Sequence, residues 1–514
     1  MECSSFSFPC IQIITLLIFS HTMFSSVKPV AVIHFSEDLY TRSRNASVSP
    51  PLPPVPVPAL YVIGDSSVDC GTNNFLGTLA RADHLPYGRD FDTHRPTGRF
   101  SNGRVPVDFL DEVLDEMSTC LLENLNHFFR FNQSALRLGL PFAPSYLGQS
   151  GSVQDMMRGL NYASAGAGII FSSGSELGQH ISFSQQIQQV MDTFQQFILT
   201  MGEHAAADHI SNSVFYISIG TNDFIHYYLP DVSGVQSKFF AWMFTRFLAQ
   251  TMKQEIKVTH KKKLGMFNLY NANVRRVVVM GLAPIGCAPY YLWQYNSQNG
   301  ECIKPINNVI LEFNFVMRYT VEELNKELVD ANIIFCDAYA GSMDILKNKD
   351  QYENANHRDH PCTFGKRWGL NVLESANHRD HICTFGRLGT KSKILVNQRD
   401  HLCTLIFYGE QMINQKVTFL FDFAGFTYTD TACCGLGRYN GWLMCLSSGM
   451  ACRNATNHLW WDQFHPTSAV NEILAENVWS GLHNKMCYPM NMQQMVAQRV
   501  KMSDDVINRF SNQA

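Results

Sequence analysis

Leu60-Tyr61-Val62-Ile63-Gly64-Asp65-Ser66 is an apolar run that breaks into a glycine turn and then a serine. Such a run suits a strand buried on both faces, and the turn would leave the Ser66 hydroxyl exposed at the end of a sheet. Val214 to Ile219 repeats the pattern and leads into Gly220-Thr221-Asn222-Asp223, where the Asn222 amide is placed to meet a developing oxyanion. Far downstream, Asp462-Gln463-Phe464-His465 sets an acid three residues before a histidine, close enough to orient the imidazole within one local turn. A serine hydroxyl attacks poorly near neutral pH unless a base removes its proton, and histidine, with an ordinary pKa of about 6.5, suits that task.

Two more short apolar runs, Val277 to Gly281 and Ile333 to Cys336, read as buried parallel strands. Helical stretches lie between the strands. In Ser184 to Thr200, Ile187, Val190, Met191, Phe194, Phe197 and Ile198 recur at helical spacing, and Asn308 to Leu328 repeats this with Ile310, Phe313, Val316 and Met317. These stripes are read as core packing. The alternation predicts a three-layer α/β/α domain around a mostly parallel, flavodoxin-like sheet. In that architecture ligands sit beyond the C-terminal ends of the strands, where Ser66 and Asn222 both fall.

Four pieces, in order, carry a family resemblance: Gly64-Asp65-Ser66, Gly103 within Arg99-Phe100-Ser101-Asn102-Gly103-Arg104, Gly220-Thr221-Asn222-Asp223, and Asp462…His465. Together they resemble the GDSL esterase/lipase (SGNH hydrolase) family in its plant secreted branch. Asp69-Cys70-Gly71-Thr72-Asn73-Asn74, Asn161-Tyr162-Ala163-Ser164-Ala165-Gly166-Ala167-Gly168, Gly281 to Cys287 and Ala432-Cys433-Cys434-Gly435 extend the likeness over most of the chain from Ala59 to about Pro489. The resemblance implies Ser66 as nucleophile, His465 as general base and then acid, and Asp462 as the carboxylate that orients His465. It implies an oxyanion hole made from the Ser66 N–H, the Gly103 N–H and the Asn222 side chain. The expected activity is ester hydrolysis through an acyl-enzyme, with lipid or other acyl esters as substrates and no cofactor or metal. One departure is Ser67, where the family name expects leucine.

Composition fits a single large enzyme domain: of 514 residues, 46% are hydrophobic and 16% charged, against about 25% charged in an average soluble protein. A net charge of −4, with basic residues scattered apart from Lys261-Lys262-Lys263, excludes a nucleic-acid-binding face. Ile11 to Phe19 has the length of a signal-peptide core and is too short to span a bilayer, with Ser25-Ser26 as a cleavage zone, so residues 1–27 are expected to be a secretory signal. The processed chain is then extracellular, without a membrane-spanning segment. Residues 28–58 read as a Pro-rich linker, residues 59–489 as the hydrolase domain and residues 490–514 as a polar tail. Asn45, Asn132 and Asn454 begin glycosylation sequons. Of fifteen cysteines, Cys287 with Cys302, and Cys433, Cys434, Cys445 and Cys452, read as local disulfide material. Removal of Cys3 and Cys10 with the signal leaves an odd number, so at least one thiol stays unpaired or pairs between chains.

Three segments interrupt the family-like text, at about 111–135, 258–267 and 350–424. The third contains a repeat, Asn356 to Gly365 recurring as Asn377 to Gly386 with a degraded copy from Asn397 to Thr404. Its His360, Cys362, His381, Cys383, His401 and Cys403 form a soft-ligand set for zinc, weighed against the plainer reading that the segments are foreign to the enzyme. Two other functions stay open: an extracellular binding module on the hydrolase fold without turnover, and a misassembled chain that does not fold stably.

Overall fold

The computed structural model describes residues 57–111, 137–257, 268–349, 352 and 426–498, together with the backbone of five short strands between 373 and 420. The central sheet holds β1 (Leu60–Gly64), β2 (Gly159–Asn161), β3 (Val214–Ser218), β4 (Arg276–Met280) and β5 (Asn332–Cys336), all parallel, with the two-residue β11 (Cys487–Tyr488) antiparallel at one edge. The order is β11-β5-β4-β3-β1-β2. The parallel strands thus run 2-1-3-4-5, the flavodoxin-like order, with the switch point between β1 and β3. β1 and β4 are buried along their whole length, as expected of strands covered on both faces.

Helices complete the three-layer α/β/α arrangement: α1 (Pro106–Asp111), α2 (Phe183–Met201), α3 (Glu203–Asn212), α4 (Ala241–Ile256), α5 (Lys304–Glu327), α6 (Ser468–Trp479) and α7 (Met492–Ala497). α2 starts on a capping box between Ser182 and Gln185 and ends at Gly202, whose φ of 85° suits glycine. Its expected stripe is its buried face: Ile187, Val190, Met191, Phe194 and Phe197 are all core residues. The expected helix over Asn308 to Leu328 begins four residues earlier, with Pro305 in its first turn.

The structure differs from the sequence reading at three points. β2 and β11 were not expected, being too short to show a period. The domain also runs past 489, because α7 buries Met492 and Met495 and Arg276 donates to the Gln498 carbonyl at 2.7 Å. Among the described residues, three disulfides fall where the sequence suggested them, Cys287–Cys302, Cys433–Cys452 and Cys434–Cys445, and an unexpected fourth is Cys336–Cys487. The last joins β5 to β11 at partners already in register. Cys70 is a buried free thiol whose pKa burial pushes up, which keeps it inert.

The signal, the linker up to residue 56, Asn45, Asn132 and almost all of the first two insertions lie outside the described residues, as do the side chains of the proposed zinc set. The chain on either side of the first insertion is stitched together: Leu138 N–H donates to Leu110 at 3.1 Å and Leu140 N–H to Asp111 at 2.8 Å. Across the second, Leu269 N–H reaches Glu255 at 3.3 Å and Tyr270 N–H reaches Ile256 at 3.1 Å. Within 350–424 the described backbone forms an antiparallel five-stranded sheet ordered β10-β9-β8-β7-β6, from β6 (Leu373–Glu374) through β7 (Ile382–Phe385), β8 (Lys393–Arg399) and β9 (Leu402–Tyr408) to β10 (Lys416–Leu420).

Candidate active site

Ser66 stands just past β1, on a turn clamped from several sides. Gly64 exchanges two hydrogen bonds with the Gln186 amide, at 2.8 and 2.9 Å, and Asp65 N–H donates to the Ser218 carbonyl at 3.0 Å. A side chain at Gly64 would meet that carbonyl at 2.4 Å, so the close approach of β1 to β3 requires glycine. Ser67, in the place of the family's leucine, bonds Ser218 Oγ at 2.9 Å. Burial raises the pKa of Asp65, whose carboxylate accepts from Ser67 N–H at 3.0 Å.

His465 Nε2 lies 2.8 Å from Ser66 Oγ, and its Nδ1 lies 2.8 and 2.9 Å from the two oxygens of Asp462. Asp462 also accepts N–H bonds from Phe464 and His465, at 3.0 and 2.8 Å. Burial opposes its charge, yet the imidazole and these donors hold the carboxyl below its usual range. Phe100 lies over the imidazole at 4.9 Å. The loop bearing Asp462 and His465 is pinned by Cys433 N–H to Trp460 and Cys434 N–H to Trp461, at 2.9 and 2.7 Å.

Asn222 sits in one helical turn, Thr221–Asp223, after β3 and lines the same cavity. Its Nδ2 donates to the Ala167 carbonyl at 2.9 Å, which fixes the amide and leaves its second proton for a ligand. The turn is anchored by Asp223, which accepts from Ile169 N–H, Ile170 N–H and Ser173 Oγ at 2.7 to 2.8 Å. Burial pushes Asp223 up to about 6.

Gly103 is placed differently from what the resemblance implied. Its N–H donates to Ser101 Oγ at 3.3 Å, and it is not among the residues lining the cavity. Gly166 is, in the turn after β2, with a φ of 86° that only glycine takes readily. Among the described residues neither Gly166 N–H nor Ser66 N–H has a hydrogen-bond partner. Sequence reasoning quoted Gly166 only as part of a family-like stretch. Its nearness to Ser66 follows from β2 pairing beside β1, which three residues of strand do not announce.

The cavity holds about 340 Å³ and is walled mostly by apolar groups, among them Val105, Leu177, Ile225, Met280, Leu282 and Leu474. It opens past Leu79, Met444 and Leu446, all exposed. The GDSL-like Lipase/Acylhydrolase family model matches residues 60–382, more than half of the chain. The chain belongs to that family. Three GDSL esterase/lipases of Arabidopsis thaliana are 28%, 28% and 29% identical to it over 441, 442 and 472 residues. These matches cover 85%, 85% and 90% of this chain and 91%, 87% and 98% of the relatives. This GDSL family member is accordingly a serine hydrolase acting on ester bonds. The family match ends before Asp462 and His465, so those two residues rest on the geometry above. Among the described residues no helix is long and apolar enough to cross a membrane.

Proposed function

We propose that the protein is a secreted carboxylic ester hydrolase that cleaves lipid or other acyl esters through an acyl-enzyme on Ser66. The reading rests on one observation: an unbroken chain of contacts from Ser66 Oγ through His465 to Asp462, at 2.8 and 2.8 Å, at the wall of an apolar cavity. His465 Nε2 takes the Ser66 proton as Oγ attacks the ester carbonyl. Asp462 stabilises the imidazolium so formed. The tetrahedral oxyanion is held by Ser66 N–H, the second Asn222 amide proton and Gly166 N–H, the last in the place first given to Gly103. Collapse expels the alcohol, which takes its proton from His465, and water then repeats the sequence to release the acid.

The apolar wall favours an acyl chain over a polar acyl group, because desolvating a polar group there without partners would cost about 1–3 kcal/mol. The four disulfides among the described residues support an oxidising, secretory setting. Asn454 is exposed and its side-chain carbonyl accepts from Thr456 N–H and Oγ1, leaving the sequon accessible to glycosylation. Hydrolysis of p-nitrophenyl esters of graded acyl length tests the reading. Turnover is expected, together with its loss in Ser66→Ala. Equal rates for the two proteins would overturn it.

A further inference from the structure

Asp462 receives its donors unevenly. The backbone N–H groups of its own loop both converge on Oδ1, from Phe464 at 3.0 Å and His465 at 2.8 Å. Oδ2 meets the imidazole at 2.9 Å and one further donor, the Tyr87 hydroxyl at 2.8 Å, from a residue 375 positions earlier in the chain. A carboxylate anchored at one oxygen can turn about its own axis; a second anchor on the other oxygen stops that rotation.

Tyr87 is built to be such an anchor. It is buried, with Phe100, Trp461 and His84 packed edge-on around its ring at 5.9, 6.1 and 5.3 Å. Its segment is tied to the disulfide loop on both sides. His84 Nε2 meets the Cys445 carbonyl at 3.3 Å, while Arg89 donates to the Cys452 carbonyl at 2.6 Å and stacks on Trp461 at 5.0 Å. The next residue, Gly88, has a φ of 66°, and a side chain there would strike the Arg95 carbonyl at 2.4 Å. Phe100 touches both the Tyr87 and the His465 rings, so one aromatic side chain registers the two partners of Asp462 against each other.

We propose that Tyr87 is a positioning residue of the Ser66–His465–Asp462 triad, its hydroxyl fixing Asp462 Oδ2 so that both carboxylate oxygens face the imidazole. The role rests on the triad reading above. Because a neutral hydroxyl takes up part of the carboxylate's charge, Tyr87 also tempers how strongly Asp462 holds the imidazolium. Burial, with the neighbouring Asp462 charge, raises the phenol well above its ordinary pKa, so the hydroxyl stays a donor through the working range.

The test is Tyr87→Phe, which keeps the ring and its packing and removes only the hydroxyl. Three readouts are expected. kcat/KM falls roughly tenfold, the size of one lost charge-assisted bond. The acid limb of the pH profile moves to higher pH by about half a unit, because the carboxylate freed of its donor binds imidazolium more tightly. In an Asp462→Ala background, with labelling rate by a fluorophosphonate as the readout, removing the hydroxyl costs nothing more, since the group it held is gone. 3-Fluorotyrosine at position 87 preserves the fold, donates more strongly, and is expected to move the acid limb the other way. An unmoved acid limb in both forms, or losses that multiply in the Asp462→Ala background, would overturn the role. Ser66→Ala separates the two readings: persistent labelling of it would sink the triad itself, whereas an inert Ser66→Ala beside an unmoved limb sinks only Tyr87.

Discussion

Ser66 and Asn222 are carried by strand ends whose positions the parallel sheet sets, whereas Asp462 and His465 ride on a loop held by Cys433–Cys452, Cys434–Cys445 and a few backbone bonds. The first half of the site is supported by residues in register along β1 and β3. The second depends on covalent staples where no strand of the central sheet is available. The buried acids differ in the same sense: burial raises Asp65 and Asp223 on the sheet side, while His465 and local N–H groups hold Asp462 low on the loop side. The proposed nucleophile and its proposed base therefore belong to structures that should fail under different conditions.

The largest expected effect strikes the loop side directly. His465→Ala and Asp462→Asn should each cut kcat by about 10³–10⁴ with melting nearly unchanged, measured by ester hydrolysis and calorimetry. Asn222→Ala, on the sheet side, should cost about 10²–10³ in kcat, because on the proposed mechanism one oxyanion donor is lost while Ser66 and His465 stay paired. Removing single disulfides by substitution separates the halves further. Cys434→Ser with Cys445→Ser should lower stability by about 2–3 kcal/mol and reduce activity well below the wild-type level, whereas the same change at Cys287 and Cys302, which do not line the cavity as Cys445 does, should lower stability with a smaller effect on activity.

A pH comparison gives a smaller effect with a defined sign. Folded Asp223 binds its proton up to about pH 6, against about 3.9 when unfolded. A raised carboxyl contributes most below the unfolded value and loses that contribution as pH rises through the folded one. The melting difference between wild type and Asp223→Asn should thus shift in favour of the variant between about pH 4 and about pH 6. The smallest effect concerns the first insertion. Since Leu110 and Asp111 already bond Leu138 and Leu140, replacing residues 112–136 with a short glycine linker should leave ester hydrolysis within about twofold and melting little changed. Loss of folding there would show that the insertion is part of the frame.

How far the site was legible follows the same division. The apolar runs of β1, β3, β4 and β5 stood out because strands buried on both faces leave no polar alternation to confuse them. Asp462…His465 was legible because its geometry is local, within one turn. Gly166, Tyr87 and Cys336–Cys487 were not, since each lies beside residues brought close only by the fold. Gly103 was misplaced for the same reason: a loop glycine carries no sign of which carbonyl or hydroxyl its N–H will find.

The central claim is that a sheet-borne serine and a loop-borne histidine meet to make one activated nucleophile. Fluorophosphonate labelling of the purified protein, with the adduct mapped by peptide mass spectrometry, tests this without knowing the substrate. Adduct on Ser66, abolished in Ser66→Ala and slowed at least a hundredfold in His465→Ala, is the expected result. Adduct on another residue, or labelling of His465→Ala at the wild-type rate, would contradict it.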